Sequence, residues 1–237
     1  MPVRTPMDMN SQDPGALPLD AAAPQLWWLP LGPAGAYDAA LEEVRLQPEE
    51  ARTVRPELRR ARAWLRLVLA RYVRQPPGSL RFRREAKGRP YLAEPVGGPE
   101  FSLAHSGERM LLAVGLQRCG VDIEALAKPR RFAELARAYL GPEERAWVEA
   151  CEGAGRARRF LQLWTAKEAL IKATGLRISD GLRKVRLEIA ADGSLAPVAL
   201  PEAAGDPARW RLIGFDPEPG YVASVATLRS APPATLV

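Results

Sequence analysis

The stretch 58–73 constrains the fold more than any other part of the chain. Leu58, Ala61, Leu65, Val68, Leu69 and Tyr72 recur at the spacing of one helix face, while Arg59, Arg62, Arg66 and Arg74 fall off that stripe. An apolar stripe this long has to be covered by another layer of structure. Pro76-Pro77-Gly78 marks the expected stop. A second long helix is predicted over 157–174, closed by Gly175 where a left-handed residue ends a helix. Shorter helices are predicted over 131–140 and 142–150, with Pro142 at a first helical position. Strands are predicted over 25–31, 81–84, 91–92, 110–116, 120–124, 185–189, 210–215 and 221–227. Residues 117–119 are expected as a hairpin turn, and Asp192-Gly193 as another. Each half then holds helices and a small antiparallel sheet, an α+β arrangement. Residues 1–24 are expected as a flexible leader, 25–117 as an N-terminal lobe and 118–230 as a C-terminal lobe.

The 237 residues are 47% hydrophobic, enough for a buried core. No apolar run reaches transmembrane length, so no membrane association is expected. The first 25 residues lack the basic start and apolar core of a signal peptide, which predicts a cytoplasmic protein. Cys119 and Cys151 have neither metal-ligand spacing nor a disulfide framework. The net charge of +6 is unevenly spread. Between Arg45 and Tyr91, 14 basic residues face 4 acids, a local +10, so the rest of the chain sums to −4. Such a segment attracts a polyanion: nucleic acid, a phosphorylated cofactor or an acidic protein. Only 5 of the 34 basic residues are lysines, so each lysine that survives this bias is worth inspecting.

Three segments carry residues suited to chemistry. In Gly120-Val121-Asp122-Ile123-Glu124, strand alternation sends Val121 and Ile123 to the core and sets Asp122 and Glu124 on the other face. Two carboxylates about 6–7 Å apart repel unless a cation lies between them, and hard oxygen ligands suit Mg2+ or Ca2+. Taken alone, the pair is more simply explained as a half-exposed strand with its acids facing water. In 164–172, helical spacing groups Trp164, Glu168 and Ile171 and places Lys172 one turn after Glu168. Lys167 and Lys172 are mobile point charges able to reach a phosphate, although Glu168 and Lys172 also form an ordinary helix-stabilising pair. His105 is the single histidine, which excludes a histidine-built metal site, and a lone histidine is often structural. No P-loop, GxGxxG or GxSxG motif is present.

His105-Ser106-Gly107, then Gly-Val-Asp-Ile-Glu, then Trp-x-x-Lys-Glu-Ala-x-x-Lys, in this order and spacing, resembles the 4'-phosphopantetheinyl transferase family. The likeness takes in Phe160, Gly175 and the Gly88-Arg89-Pro90 turn, and covers roughly residues 45–180. It implies transfer of the 4'-phosphopantetheine arm of coenzyme A to a serine of an acyl or peptidyl carrier protein, turning apo carrier into holo carrier. The implied metal ligands are Asp122, Glu124 and Glu168, holding Mg2+ (or Mn2+) on the coenzyme A pyrophosphate. Lys172 and His105 would hold the pyrophosphate oxygens, with Ser106 beside them, and Glu168 would take the serine proton. Arg89 would touch the nucleotide end, and Arg52 and Arg55 the 3'-phosphate. The length matches the larger class of the family, which implies two similar lobes in a pseudo-twofold, the ligand between them, and a monomer. Ser102 and Ala104 stand where the family commonly has asparagine and serine. Two alternatives remain: a coenzyme A or carrier-protein binding module without activity, and another Mg2+-dependent phosphoryl enzyme such as a nuclease. Aromatic residues are sparse in the basic segment, with Trp64, Tyr72, Phe82 and Tyr91 from Arg45 to Tyr91, which argues against nucleic acid.

Overall fold

The computed structural model describes residues 3–5, 17–20, 22–33, 35–52, 55–128 and 132–229. Much of the expected leader lies outside the described residues, but Val3–Arg4 form a short strand, β1. It pairs in parallel with β2 (Gln25–Pro30). Two short helices, α1 (Asp38–Glu43) and α2 (Pro48–Ala51), lead into α3 (Pro56–Val73). The hairpin β3 (Arg81–Arg84) and β4 (Pro90–Glu94) follows, then β5 (Glu100–Ser106), β6 (Arg109–Gly115) and β7 (Cys119–Ala125). Helices α4 (Phe132–Tyr139), α5 (Pro142–Glu149), α6 (Gly153–Thr174) and α7 (Ile178–Gly181) precede β8 (Arg186–Ile189), β9 (Leu195–Ala199), β10 (Trp210–Phe215) and β11 (Tyr221–Leu228).

Two sheets carry the fold, ordered β1-β2-β6-β5 and β10-β11-β7. Strand alternation gives each sheet two apolar faces. On the outer face of the first, Trp27, Leu29, Met110, Leu112 and Val114 pack against Trp64, Leu65, Val68 and Leu69 of α3. Its inner face, Leu26, Trp28, Ala104, Leu111 and Ala113, meets Val121, Ile123, Ala223 and Val225 of the second sheet. The outer face of the second sheet offers Val222 and Ala226 to Phe160, Trp164, Leu170 and Ala173 of α6. The layers therefore run helix, sheet, sheet, helix, each half pairing one sheet with one long helix.

Two expectations are corrected, and the stop of α3, at Val73 as expected, is sharpened. Residues 117–119 are not a hairpin turn: β6 pairs with β2 and β5, β7 pairs with β11, and the link steps from one sheet to the other. Arg74 ends α3 in a left-handed conformation (φ 53°), two residues before the prolines. Arg66 is fully buried, because Glu50 (2.6 Å) and the carbonyls of Pro77 and Leu80 satisfy its guanidinium. The turn at Asp192-Gly193 is present, with Gly193 at φ 81°, and it joins β8 to a strand that its weak patterning left unread, β9.

Candidate active site

The site lies where β7 passes under the C-terminal half of α6. Asp122 and Glu124 share the β7 face opposite Val121 and Ile123, as alternation requires, and that face is covered by α6 rather than by water. Gly120 makes the close approach possible. A Cβ there would collide with the backbone of Ala169 and Ala173 on the helix. One rung further, Ser224 is the β11 partner of Asp122, and its Oγ lies 2.9 Å from Thr165 Oγ1. The helix is thus held close to the sheet at two points, Gly120 of β7 against Ala169 and Ala173, and Ser224 of β11 against Thr165.

Asp122 is 4% exposed. Lys172 Nζ donates to its Oδ1 at 2.6 Å and lies 3.7 Å from Glu168 Oε2. Asp122 Oδ2 finds no partner among the described residues. Burial pushes the Asp122 carboxyl up to about 7. Lys172 opposes that shift, and the neighbouring charges of Glu168 and Glu124 add to it. Burial alone would depress the Lys172 ammonium, but Asp122, Glu168 and Glu124 outweigh it and hold the group above its usual range. Three carboxylates and one ammonium therefore share one electrostatic neighbourhood. No three His, Cys, Asp or Glu side chains among the described residues form a ready-made metal cage.

The first sheet reaches this neighbourhood through β5, whose edge runs beside β7. Backbone bonds do not join the two strands; serine hydroxyls do. Ser102 Oγ accepts from Val121 N (3.1 Å), and Ser106 Oγ accepts from Ala125 N (3.1 Å) while donating to Glu124 Oε2 (2.8 Å). Ser106 therefore orients a carboxylate and is itself buried. Ser102 and Ala104 both point into the seam between the sheets, so their departure from the family pattern alters packing there. His105, on the other face of β5, is exposed at the rim. Partial burial, then Lys172 and Lys128, lower its pKa below the usual imidazole value, against Glu57 and Glu124.

The family model for the 4'-phosphopantetheinyl transferase superfamily matches residues 118–226, the segment that supplies β7 and α6. HetI of Nostoc sp., a 4'-phosphopantetheinyl transferase, is 32% identical over 212 residues, spanning 85% of this chain and 86% of its own. The slr0495 protein of Synechocystis sp. is 34% identical over 197 residues, 80% of this chain and 78% of its own. This chain belongs to the 4'-phosphopantetheinyl transferase superfamily. Sfp of Bacillus subtilis, another 4'-phosphopantetheinyl transferase, is 26% identical over 161 residues, 68% of this chain and 69% of its own.

Of the transferase residues expected from sequence, Asp122, Glu124, Glu168, Lys172 and Ser106 converge, with His105 at the rim. Arg52 and Arg55 are exposed, at the C-terminal cap of α2 and the N-terminal cap of α3. Glu57, in the first turn of α3, acts on His105, so this end of the basic segment faces the site. Two expectations fail. Arg89 is 8% exposed, its guanidinium turned inward onto carbonyls of both halves instead of out towards a nucleotide. Lys167 is fully buried, held by Glu144 (2.7 Å) and the carbonyls of Tyr139 and Val185, and reaches no ligand. Sequence reasoning named Gly120 and Trp164 as members of their motifs but not the close helix approach that Gly120 permits, nor the burial of Trp164, whose Nε1 has no partner among the described residues.

Proposed function

We propose that this transferase moves the 4'-phosphopantetheine arm of coenzyme A to a serine of an acyl or peptidyl carrier protein, with Mg2+ (or Mn2+) held by Asp122, Glu124 and Glu168. The observation that carries the metal is Asp122: a buried carboxylate with one oxygen lacking a partner among the described residues, flanked by two more carboxylates. Such a donor set is hard and anionic, which suits Mg2+ with substrate phosphates completing its shell. The ion would polarise the pyrophosphate as a Lewis acid.

The chain's own residues supply the rest. Lys172 sits 3.7 Å from Glu168 and can turn to a phosphate oxygen, where a mobile ammonium neutralises charge as the bond breaks. The carrier serine oxygen bonds to the phosphorus bearing the pantetheine arm. The bond from that phosphorus to the bridging oxygen breaks, and adenosine 3',5'-bisphosphate leaves with the electron pair. Glu168 takes the serine proton. His105, its pKa lowered, offers a neutral N–H donor to the same oxygens, and a bound phosphate would draw it towards the charged form. Arg52 and Arg55, exposed at the ends of α2 and α3, suit the 3'-phosphate, and the surrounding basic segment suits an acidic carrier.

One chain contributes every one of these residues, which supports a monomer. Both cysteines are free, which fits the reducing cytoplasm, and no helix among the described residues is long and apolar enough to cross a membrane.

The test is intact-mass measurement of an apo acyl carrier protein incubated with the transferase and coenzyme A, with and without Mg2+. A Mg2+-dependent gain of one phosphopantetheine is the expected result. Coenzyme A binding without transfer to any carrier would leave a binding module in its place.

A further inference from the structure

Arg89 precedes β4 in the turn of the β3–β4 hairpin, yet its side chain leaves that hairpin and enters the joint between the two halves. Nη1 donates to the carbonyls of Lys172 (2.6 Å) and Cys119 (3.0 Å). Nη2 donates to the carbonyl of Phe101 (3.0 Å) and to Glu100 Oε2 (2.9 Å). The three carbonyls belong to the end of α6, the start of β7 and the start of β5. Carbonyls in the last turn of a helix lack intrahelical partners, and a cation is favoured there by the helix dipole. Arg118 extends the contact, donating to the Thr174 carbonyl (3.3 Å) and pairing with Glu85 on the same hairpin. Gly175 at φ 76° leaves room for these guanidinium groups, because a Cβ there would meet Arg118 and Glu85.

These three elements carry the charged residues of the site. Lys172 itself gives Arg89 its carbonyl, Asp122 is three residues along β7 from Cys119, and His105 is four along β5 from Phe101. The guanidinium presents fixed, planar pairs of N–H groups to these four acceptors, whereas an ammonium is a point donor on a flexible stem. We propose that Arg89 is a positioning residue that sets the placement of Lys172 and Asp122 against the β5 residues, and that it acts through them without touching coenzyme A. This rests on the transfer reading above.

The test combines kinetics with hydrogen exchange on Arg89→Lys, Arg89→Ala and the gentler Glu100→Gln. Arg89→Lys should lower kcat about tenfold or more while the KM for coenzyme A moves less than about threefold. Amides at 119–122 and 172–176 should exchange about tenfold faster in the metal-free, ligand-free variant, with those of α3 unchanged. Added guanidinium ion, but not ammonium, should restore part of the kcat of Arg89→Ala. Glu100→Gln, which spares three of the four bonds, should give the same pattern in smaller measure and serves if the arginine variants do not fold. A raised KM for coenzyme A with kcat preserved would overturn the proposal in favour of nucleotide contact. Unchanged exchange at both segments would overturn it whatever the activity. Absence of transfer in the wild type would count against the transfer reading alone, since the exchange measurement decides the positioning role independently.

Discussion

Helix α6 carries two lysines five residues apart, and each meets a buried carboxylate from another element. Lys167 and Glu144 are both fully buried and fully satisfied. The ammonium has three acceptors, and the carboxylate also accepts from Gly141 N (2.6 Å) and Leu187 N (2.9 Å). Lys172 and Asp122 are paired just as closely, but one Asp122 oxygen has no partner among the described residues, two further carboxylates lie nearby, and the lysine is partly open to solvent. The first pair closes its own account of donors and acceptors and joins α6 to α5 and β8. The second leaves an acceptor open among the described residues. Chemistry and architecture use the same residue types here, and the difference is whether every polar atom is answered from within the protein.

That contrast can be broken from the site side first. Asp122→Asn should cut transfer about 10³-fold or more while the protein stays folded. The sign for stability follows from its raised pKa. Between about pH 4 and 7 the unfolded chain releases the Asp122 proton while the folded one retains it, so the wild type loses stability over that window. The asparagine variant should therefore melt higher than metal-free wild type at pH 7–8, with the gap closing towards pH 4. A lower melting temperature at pH 7 would contradict the buried, destabilising carboxylate.

The structural pair should respond in the opposite sense. Lys167→Ala leaves Glu144 buried and uncompensated, which costs about 3–5 kcal/mol and lowers the melting temperature by about 10 °C. Any activity lost should return on cooling. Full stability with lost activity would move Lys167 into the site. Lys172→Ala should slow kcat about 100-fold while the Kd for coenzyme A changes less than about threefold, because its contact strengthens as charge develops. Isothermal titration against single-turnover rates separates the two. The smallest effect belongs to the exposed arginines: Arg52→Ala with Arg55→Ala should raise the KM for coenzyme A about three- to tenfold, less at high salt, since exposed charges are screened. A salt-independent change would argue against a phosphate contact.

The local patterns were legible without tertiary information. The stripe from Leu58 to Tyr72, the glycine at 175 and the alternation around Asp122 each depend on neighbours a few residues away, and each appears as expected, the carboxylates on one face of β7 and Lys172 one turn from Glu168. What could not be read were partners supplied from far along the chain. Arg66, Arg89 and Lys167 all look like solvated charges in sequence. All three are buried, because Glu50, Glu100 and Glu144 and a set of carbonyls arrive from other elements.

By itself, then, the sequence determined the four longest helices, most of the strands, the two acidic residues facing one way and the order of the motifs that place the chain in its family. Spacing along a chain is enough for these, since side-chain direction follows backbone period. The tertiary structure alone decided which face of β7 would be roofed by α6, that β5 and β7 would be stitched by Ser102 and Ser106 instead of backbone bonds, and which lysine would be left with work to do. Those outcomes depend on desolvation and on donors meeting acceptors across long sequence separations. Both become defined only once the layers have closed.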